Sequence, residues 1–118
     1  IIMLETNNFS VVMAVYKGDS PLFLKEAFIS VIEQSSPPSE VVVVVDGPVG
    51  TSLENEIYNI ASNTTVNCIW LETNVGRGAA RDIGILESKN NIIALMDADD
   101  ISDYRRFEEQ LSVMETGE

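Results

Sequence analysis

The chain contains no histidine, and its 118 residues include one cysteine and only seven lysines and arginines. Each shortage excludes a class of chemistry. Without imidazole there is no side chain that ordinarily titrates near neutrality, and no nitrogen ligand for a metal. Cys68 alone supports neither a disulfide framework nor a thiolate metal site, and it reads as a core filler. Seven cations against 19 acids leave a formal charge of −12, which argues against nucleic acid as a partner, because such affinity comes from neutralising phosphates. Any anionic ligand therefore needs a local counter-charge. No apolar run approaches the ~18 residues of a membrane span and no secretory leader is visible, so the expectation is a cytoplasmic chain without a transmembrane segment. Met3 reads as the natural start, with Ile1 and Ile2 extraneous, and the Asn-x-Ser/Thr matches at Asn8 and Asn63 are short enough to be chance.

What is present is an apolar fraction of 45%, normal for a globular domain and too high for disorder. Apolar runs alternate with amphipathic stretches. Residues 10–15, SVVMAV, read as a buried strand, and Asp19, Ser20 and Pro21 then supply a cap and a first-turn proline. Leu24, Ala27, Phe28 and Val31 follow at one-face helical spacing, until SSPPS at 35–39 ends the helix. The run VVVVV at 41–45 has no polar alternation, as expected of a central parallel strand covered on both faces. Thr51 and Glu54 stand at capping-box spacing before a helix with Leu53, Ile57 and Ala61. A third strand is expected over 66–72, and a helix from about Gly76 to Glu87 presenting Ala79, Ile83 and Leu86. IIALM forms the fourth strand, and Tyr104, Phe107, Leu111 and Met114 mark the last helix. Four β–α units predict an α/β fold, a Rossmann-like, mainly parallel sheet with flanking helices. The length fits one small domain or part of a larger one.

Parallel sheets bind ligands beyond the carboxyl ends of their strands. Those ends carry Tyr16 and Lys17, Asp46 and Gly47, Asn74 and Gly76, and Asp97 and Asp99. In MDADDISD the greasy fourth strand delivers Asp97, Asp99 and Asp100 within four positions, a concentration of like charge that is comfortable only around something positive. Carboxylate oxygens suit Mg2+ or Mn2+. The plainer alternative is a polar strand end with Asp100 or Asp103 capping the next helix, and Asp103 is assigned to the cap. If the strand runs on through Asp97, then Asp97 and Asp99 point to one side and Asp100 to the other. Asp46 either accepts a hydrogen bond from a base or ribose, or starts a turn by bonding its own backbone. Gly76-Arg77-Gly78 is no dinucleotide loop, because the third glycine is replaced by Arg81 and the motif follows the third strand. Arg77 or Arg81 can offer guanidinium donors to phosphate, while Arg81 can equally pair with the strand-end aspartates. Lys17 and Lys25 read as solvated charges.

Four ordered blocks, SVVMAVYKGDSPLFLKEAFISVIEQS, EVVVVVDGP, NVGRGAARDIG and ALMDADDISDYRRFEEQ, resemble the N-terminal part of a family 2 glycosyltransferase with the GT-A fold. The resemblance runs from about Phe9 to Met114 and is nearest the exopolysaccharide and O-antigen branch, the amylovoran type. It implies transfer of a sugar from a nucleotide-diphosphate donor, with UDP the expected nucleotide, to a saccharide or lipid-linked saccharide acceptor. It implies that Ala14, Val15 and Tyr16 wall the base pocket and that Asp46 bonds the base. Asn74, Gly76 and Arg81 match a block near the nucleotide. Asp97, with Ala98 beside it, would meet the ribose or the ion's shell, and Asp99 would ligate Mn2+ or Mg2+ directly.

The resemblance also sets expectations beyond the chain. Relatives place the acceptor side and the catalytic base downstream, so no base is assignable, an inverting outcome is implied by the family alone, and residues 1–118 are expected to bind donor without turnover. In the full-length protein a peripheral position at the inner membrane fits such acceptors. A truncated sheet would expose apolar surface that a second copy can cover. Tyr104 stands where relatives often carry proline. Three other readings compete with this resemblance. A haloacid-dehalogenase-type phosphatase would use Asp97 as nucleophile, but its D-x-D belongs on an early strand. A nucleotidyltransferase needs a basic Gly-rich loop after the first strand. A receiver-type binding domain needs acids where Ala14, Val15 and Tyr16 stand.

Overall fold

A computed structural model of the chain describes residues 8–116, with side chains to residue 113. Met3, Ile1 and Ile2 lie outside the described residues, as does the Met114 side chain. The order is β1 (Ser10–Val15), α1 (Pro21–Ile32), β2 (Glu40–Val45), α2 (Thr51–Ala61), β3 (Val66–Trp70), α3 (Arg77–Glu87), β4 (Ile93–Asp97) and α4 (Arg106–Thr116). The four strands form one sheet in the order β3-β2-β1-β4, every neighbour parallel. This is the expected α/β Rossmann-like architecture.

Strand order dictates where the helices go. The chain steps outward from β1 to β3, then jumps back past β1 to β4. A right-handed crossover run in the reverse direction puts its helix on the opposite face. So α1, α2 and α4 share one face, where Leu24, Phe28, Val31, Leu53, Ile57, Phe107 and Leu111 pack on Val11, Met13, Val43 and Met96. Among the described residues, only α3 covers Val12, Val42 and Val44 on the other. All five valines of β2 are fully buried, as the unbroken run predicted, and each such burial stabilises by ~1.5–3 kcal/mol.

Local departures have physical causes. The buried residues of α3 are Ala80 and Gly84; Ala79 is exposed and Leu86 is 83% exposed. A Cβ on Gly84 would stand 2.5 Å from Val12 Cγ1, so the helix sits too close to the sheet for large residues. Thr51 is not a cap: Gly50 holds that place at φ 90°, with no side-chain cap bond. Strand β3 stops at Trp70, and Tyr104 is exposed ahead of α4 rather than within it. The face of α1 is as read, with Ser20 accepting the Phe23 N–H at 3.3 Å behind Pro21.

Candidate functional site

The register brings the carboxyl ends of β1, β2 and β4 level, Val15 facing Val45 and Ala14 facing Asp97. After β1 the chain closes a turn in which Tyr16 N–H donates to Asp19 Oδ2 at 2.9 Å and Asp19 N–H to the Tyr16 carbonyl at 3.0 Å. After β2, Asp46 is 3% exposed and reaches across to the β3–α3 loop. Its Oδ1 accepts the Val75 N–H at 2.7 Å, its Oδ2 the Gly76 N–H at 3.1 Å, and its carbonyl the Asn74 amide at 3.2 Å. Neither sequence reading of Asp46 foresaw this clamp, whose amides lie about thirty positions away. Gly76 caps α3 at φ 95°, a left-handed conformation that glycine adopts without steric cost.

Together these ends enclose a cavity of about 320 Å3 lined by Ala14, Val15, Tyr16, Asp46, Asn74, Gly76 and Arg77. Its size lies at the lower end of small-ligand sites, roughly 300–1,000 Å3. Six of the residues singled out in the sequence for a nucleotide are thus gathered around one space. Arg81, Asp97 and Ala98 lie outside its lining. The Ala98 side chain is buried in the core, so that residue can offer a ligand only its main chain.

Beside the cavity lies an acidic corner. Strand β4 ends at Asp97 and the chain turns at once: Asp100 N–H donates to the Asp97 carbonyl at 3.1 Å, and Asp97 N–H to Asp100 Oδ2 at 3.3 Å. The turn overrides strand alternation, and one carboxylate oxygen from each of Asp97, Asp99 and Asp100 falls within 4.8 Å of the others. Asp103 is separate: its Oδ1 accepts the Arg105 N–H and its carbonyl the Arg106 N–H, both at 3.0 Å, in the turn that leads into α4 three positions on. Arg81 Nη2 pairs closely with Asp97 Oδ1, and Arg77 Nη1 stands 3.7 Å from the same oxygen. Arg77 therefore joins cavity and corner. Asp99 and Asp100 make no ion pair among the described residues. Hard oxygen donors, closely grouped and only partly compensated, fit a divalent cation such as Mn2+ or Mg2+.

Asp19 was read in the sequence only as a helix-start residue, yet it belongs to this neighbourhood. Burial pushes its carboxyl above the ordinary 3.8; the Tyr16 N–H opposes that, Asp99 and Asp97 add to it, and Arg77 counters. The available signal was its position just after β1, the strand that pairs with β4.

Known proteins resemble the chain in sequence and in fold. The chain is 38% identical over 104 residues to the UDP-Gal:alpha-D-GlcNAc-diphosphoundecaprenol beta-1,3-galactosyltransferase of Escherichia coli, covering 88% of the chain and 38% of that protein. It is 36% identical over 108 residues to the amylovoran biosynthesis glycosyltransferase AmsE of Erwinia amylovora, covering 92% and 41%. The chain thus spans about two-fifths of the length of these relatives. Among solved structures, the mannosyltransferase PcManGT of Pyrobaculum calidifontis, in complex with GDP-Man and Mn2+, superposes with a TM-score of 0.76 at 17% identity, covering 90% of the chain and 32% of that one. The model of glycosyl transferase family 2 matches residues 10–118, nearly all of the chain, and to that family the chain belongs.

Proposed function

We propose that this chain is the donor-binding part of an enzyme that moves a sugar from a nucleoside diphosphate, UDP foremost, to a hydroxyl of a saccharide or lipid-linked saccharide in bacterial surface polysaccharide synthesis. The observation that carries this reading is the adjacency of cavity and corner, with Arg77 on both. Ala14, Val15 and Tyr16 form the wall against which the base lies. Asp46 keeps acceptor capacity beyond its two loop amides and takes an N–H from the base edge. Asn74 and Gly76 close the opposite side, and Arg77 meets the diphosphate. Arg81 holds Asp97, and Asp97 with the Ala98 main chain faces the ribose. Asp99, with Asp97, holds Mn2+ or Mg2+. When bound, such an ion stabilises the charge that develops on the departing nucleoside diphosphate.

The galactosyltransferase relative is named for a UDP-sugar and a lipid-linked acceptor, and the mannosyltransferase structure contains Mn2+, which supports the donor class, the acceptor class and the ion. A lipid-linked acceptor also supports a position at the cytoplasmic side of the inner membrane; no described helix is long and apolar enough to cross one. The base that deprotonates the acceptor is assigned to the intact protein beyond this chain, so residues 1–118 bind donor without turning it over. Inversion at the anomeric carbon is the outcome proposed from the family.

Calorimetry tests the reading. UDP is expected to bind weakly alone and distinctly better with Mn2+, and Asp99→Ala to abolish the gain. Equal affinity with and without the ion refutes the metal role.

A further inference from the structure

Residues 98–105, between β4 and α4, have no regular structure, yet they carry Asp99 and Asp100. Only Ala98 and Ser102 among them are buried. Besides the Asp97–Asp100 turn, what holds the segment is α1 and the residues just after it. Ser102 N–H donates to Ser30 Oγ at 2.9 Å, and that hydroxyl donates onward to the Ala27 carbonyl at 2.7 Å. The Gln34 side chain belongs to a residue 5% exposed. It donates to the Ser30 carbonyl at 3.0 Å and to the Asp103 carbonyl of the segment. Its Oε1 accepts the Phe107 N–H at 3.0 Å. That amide lies in the first turn of α4, where no intrahelical partner exists. Ser35 N–H adds a bond to the Tyr104 carbonyl at 2.9 Å. Gln34 lies just past the C-terminal cap of α1 and folds back onto the Ser30 carbonyl, which brings the two residues together.

We propose that Ser30 and Gln34 are positioning residues for the acidic corner. They latch segment 98–105 to α1 and so fix where Asp99 stands relative to Asp97, without touching either. Asp99 is exposed and has no ion pair among the described residues, so the path of its own backbone decides where its carboxylate sits. Helix α1 begins directly after the Tyr16–Asp19 turn, which makes it a strut between the cavity wall and the corner. The inference rests on the divalent-cation reading of that corner. Groups that orient metal ligands from behind influence affinity strongly.

The test separates positioning from folding. Mn2+ is titrated into the chain and free ion is followed by electron paramagnetic resonance, while UDP binding in the presence of chelator is measured by calorimetry. Ser30→Ala and Gln34→Met are each expected to weaken Mn2+ binding about tenfold and to leave metal-free UDP binding unchanged. Unaltered Mn2+ affinity in a variant that denaturant melts show to be less stable overturns the proposal, because the latch is then structural only. Parallel loss of Mn2+ and metal-free UDP binding also overturns it. Ser30→Ala, the milder change, decides the matter if Gln34→Met does not fold. If the wild-type chain takes up no Mn2+ and Asp99→Ala alters nothing, the cation reading itself fails, an outcome distinct from the other two.

Discussion

Asp46 and Gly76 stand 30 positions apart, yet the Gly76 N–H donates to the Asp46 carboxylate at 3.1 Å. With the Val75 N–H on the other oxygen at 2.7 Å, one side chain fixes the loop that opens α3. Asp46→Ala strands both amides, and hydrogen bonds to a charged acceptor are worth ~1.5–3 kcal/mol each. A loss of about 2–4 kcal/mol in urea denaturation is expected, given partial access of water to the loop. If Asp46 also bonds the base, discrimination between UDP and other nucleoside diphosphates falls in the same variant. Unchanged discrimination leaves the loop clamp as its whole role.

Arg81 and Asp97 supply a prediction of opposite signs. Arg81→Met removes a positive charge from the corner, so Mn2+ without nucleotide should bind more tightly and UDP in chelator more weakly. After discounting for partial exposure, about 1 kcal/mol, or roughly fivefold, is expected in each direction. Movement of both affinities the same way would show that Arg81 acts on shape rather than charge.

Two glycines of one helix should respond in opposite ways. Gly84→Ala places a methyl 2.5 Å from Val12 Cγ1 and 3.0 Å from Val44 Cγ2, atoms of stiff side chains in the sheet. Overpacking of that kind costs ~1–3 kcal/mol, against ~1 kcal/mol gained in helix propensity. A net loss is expected. Gly78→Ala meets nothing within 4 Å and should raise stability by about 0.5–1 kcal/mol. Denaturant midpoints of the two variants on either side of wild type would bear this out.

Burial pushes the Cys68 thiol above its ordinary 9.0, so at neutral pH it holds little thiolate. Alkylation should be slow in the folded chain and fast in denaturant. The linkage has a definite sign. A folded pKa above the unfolded one gives a contribution that is complete below 9.0 and lost as pH rises through the folded value. Stability should therefore decline in the alkaline range, and Cys68→Ala should remove that part of the decline.

Much of this was legible in the residues. The valine run announced a doubly covered central strand, the periodicity of α1 gave its buried face, and strand ends gathered the cavity residues. Helix α3 was misread because apolar pattern ranks Ile83 and Leu86 above Gly84, whereas the closeness of helix to sheet, a tertiary fact, selects the smallest side chains. Asp100 was misplaced because strand alternation was carried three residues past Asp97, where the chain turns instead. Asp46 and Asp19 hid their roles for a shared reason. The amides that Asp46 binds and the charges that surround Asp19 belong to distant segments, and local sequence carries no trace of such proximity.

Two of the seven Lys and Arg in a chain of charge −12 lean on one aspartate, Asp97. At long range the net charge repels an anionic sugar donor, and the attraction of that pair fades over a Debye length, about 8 Å in physiological salt. Added electrolyte screens the distant repulsion more than the final contact. Donor capture should therefore quicken as ionic strength rises, the reverse of proteins that draw substrates in with a surplus of opposite charge.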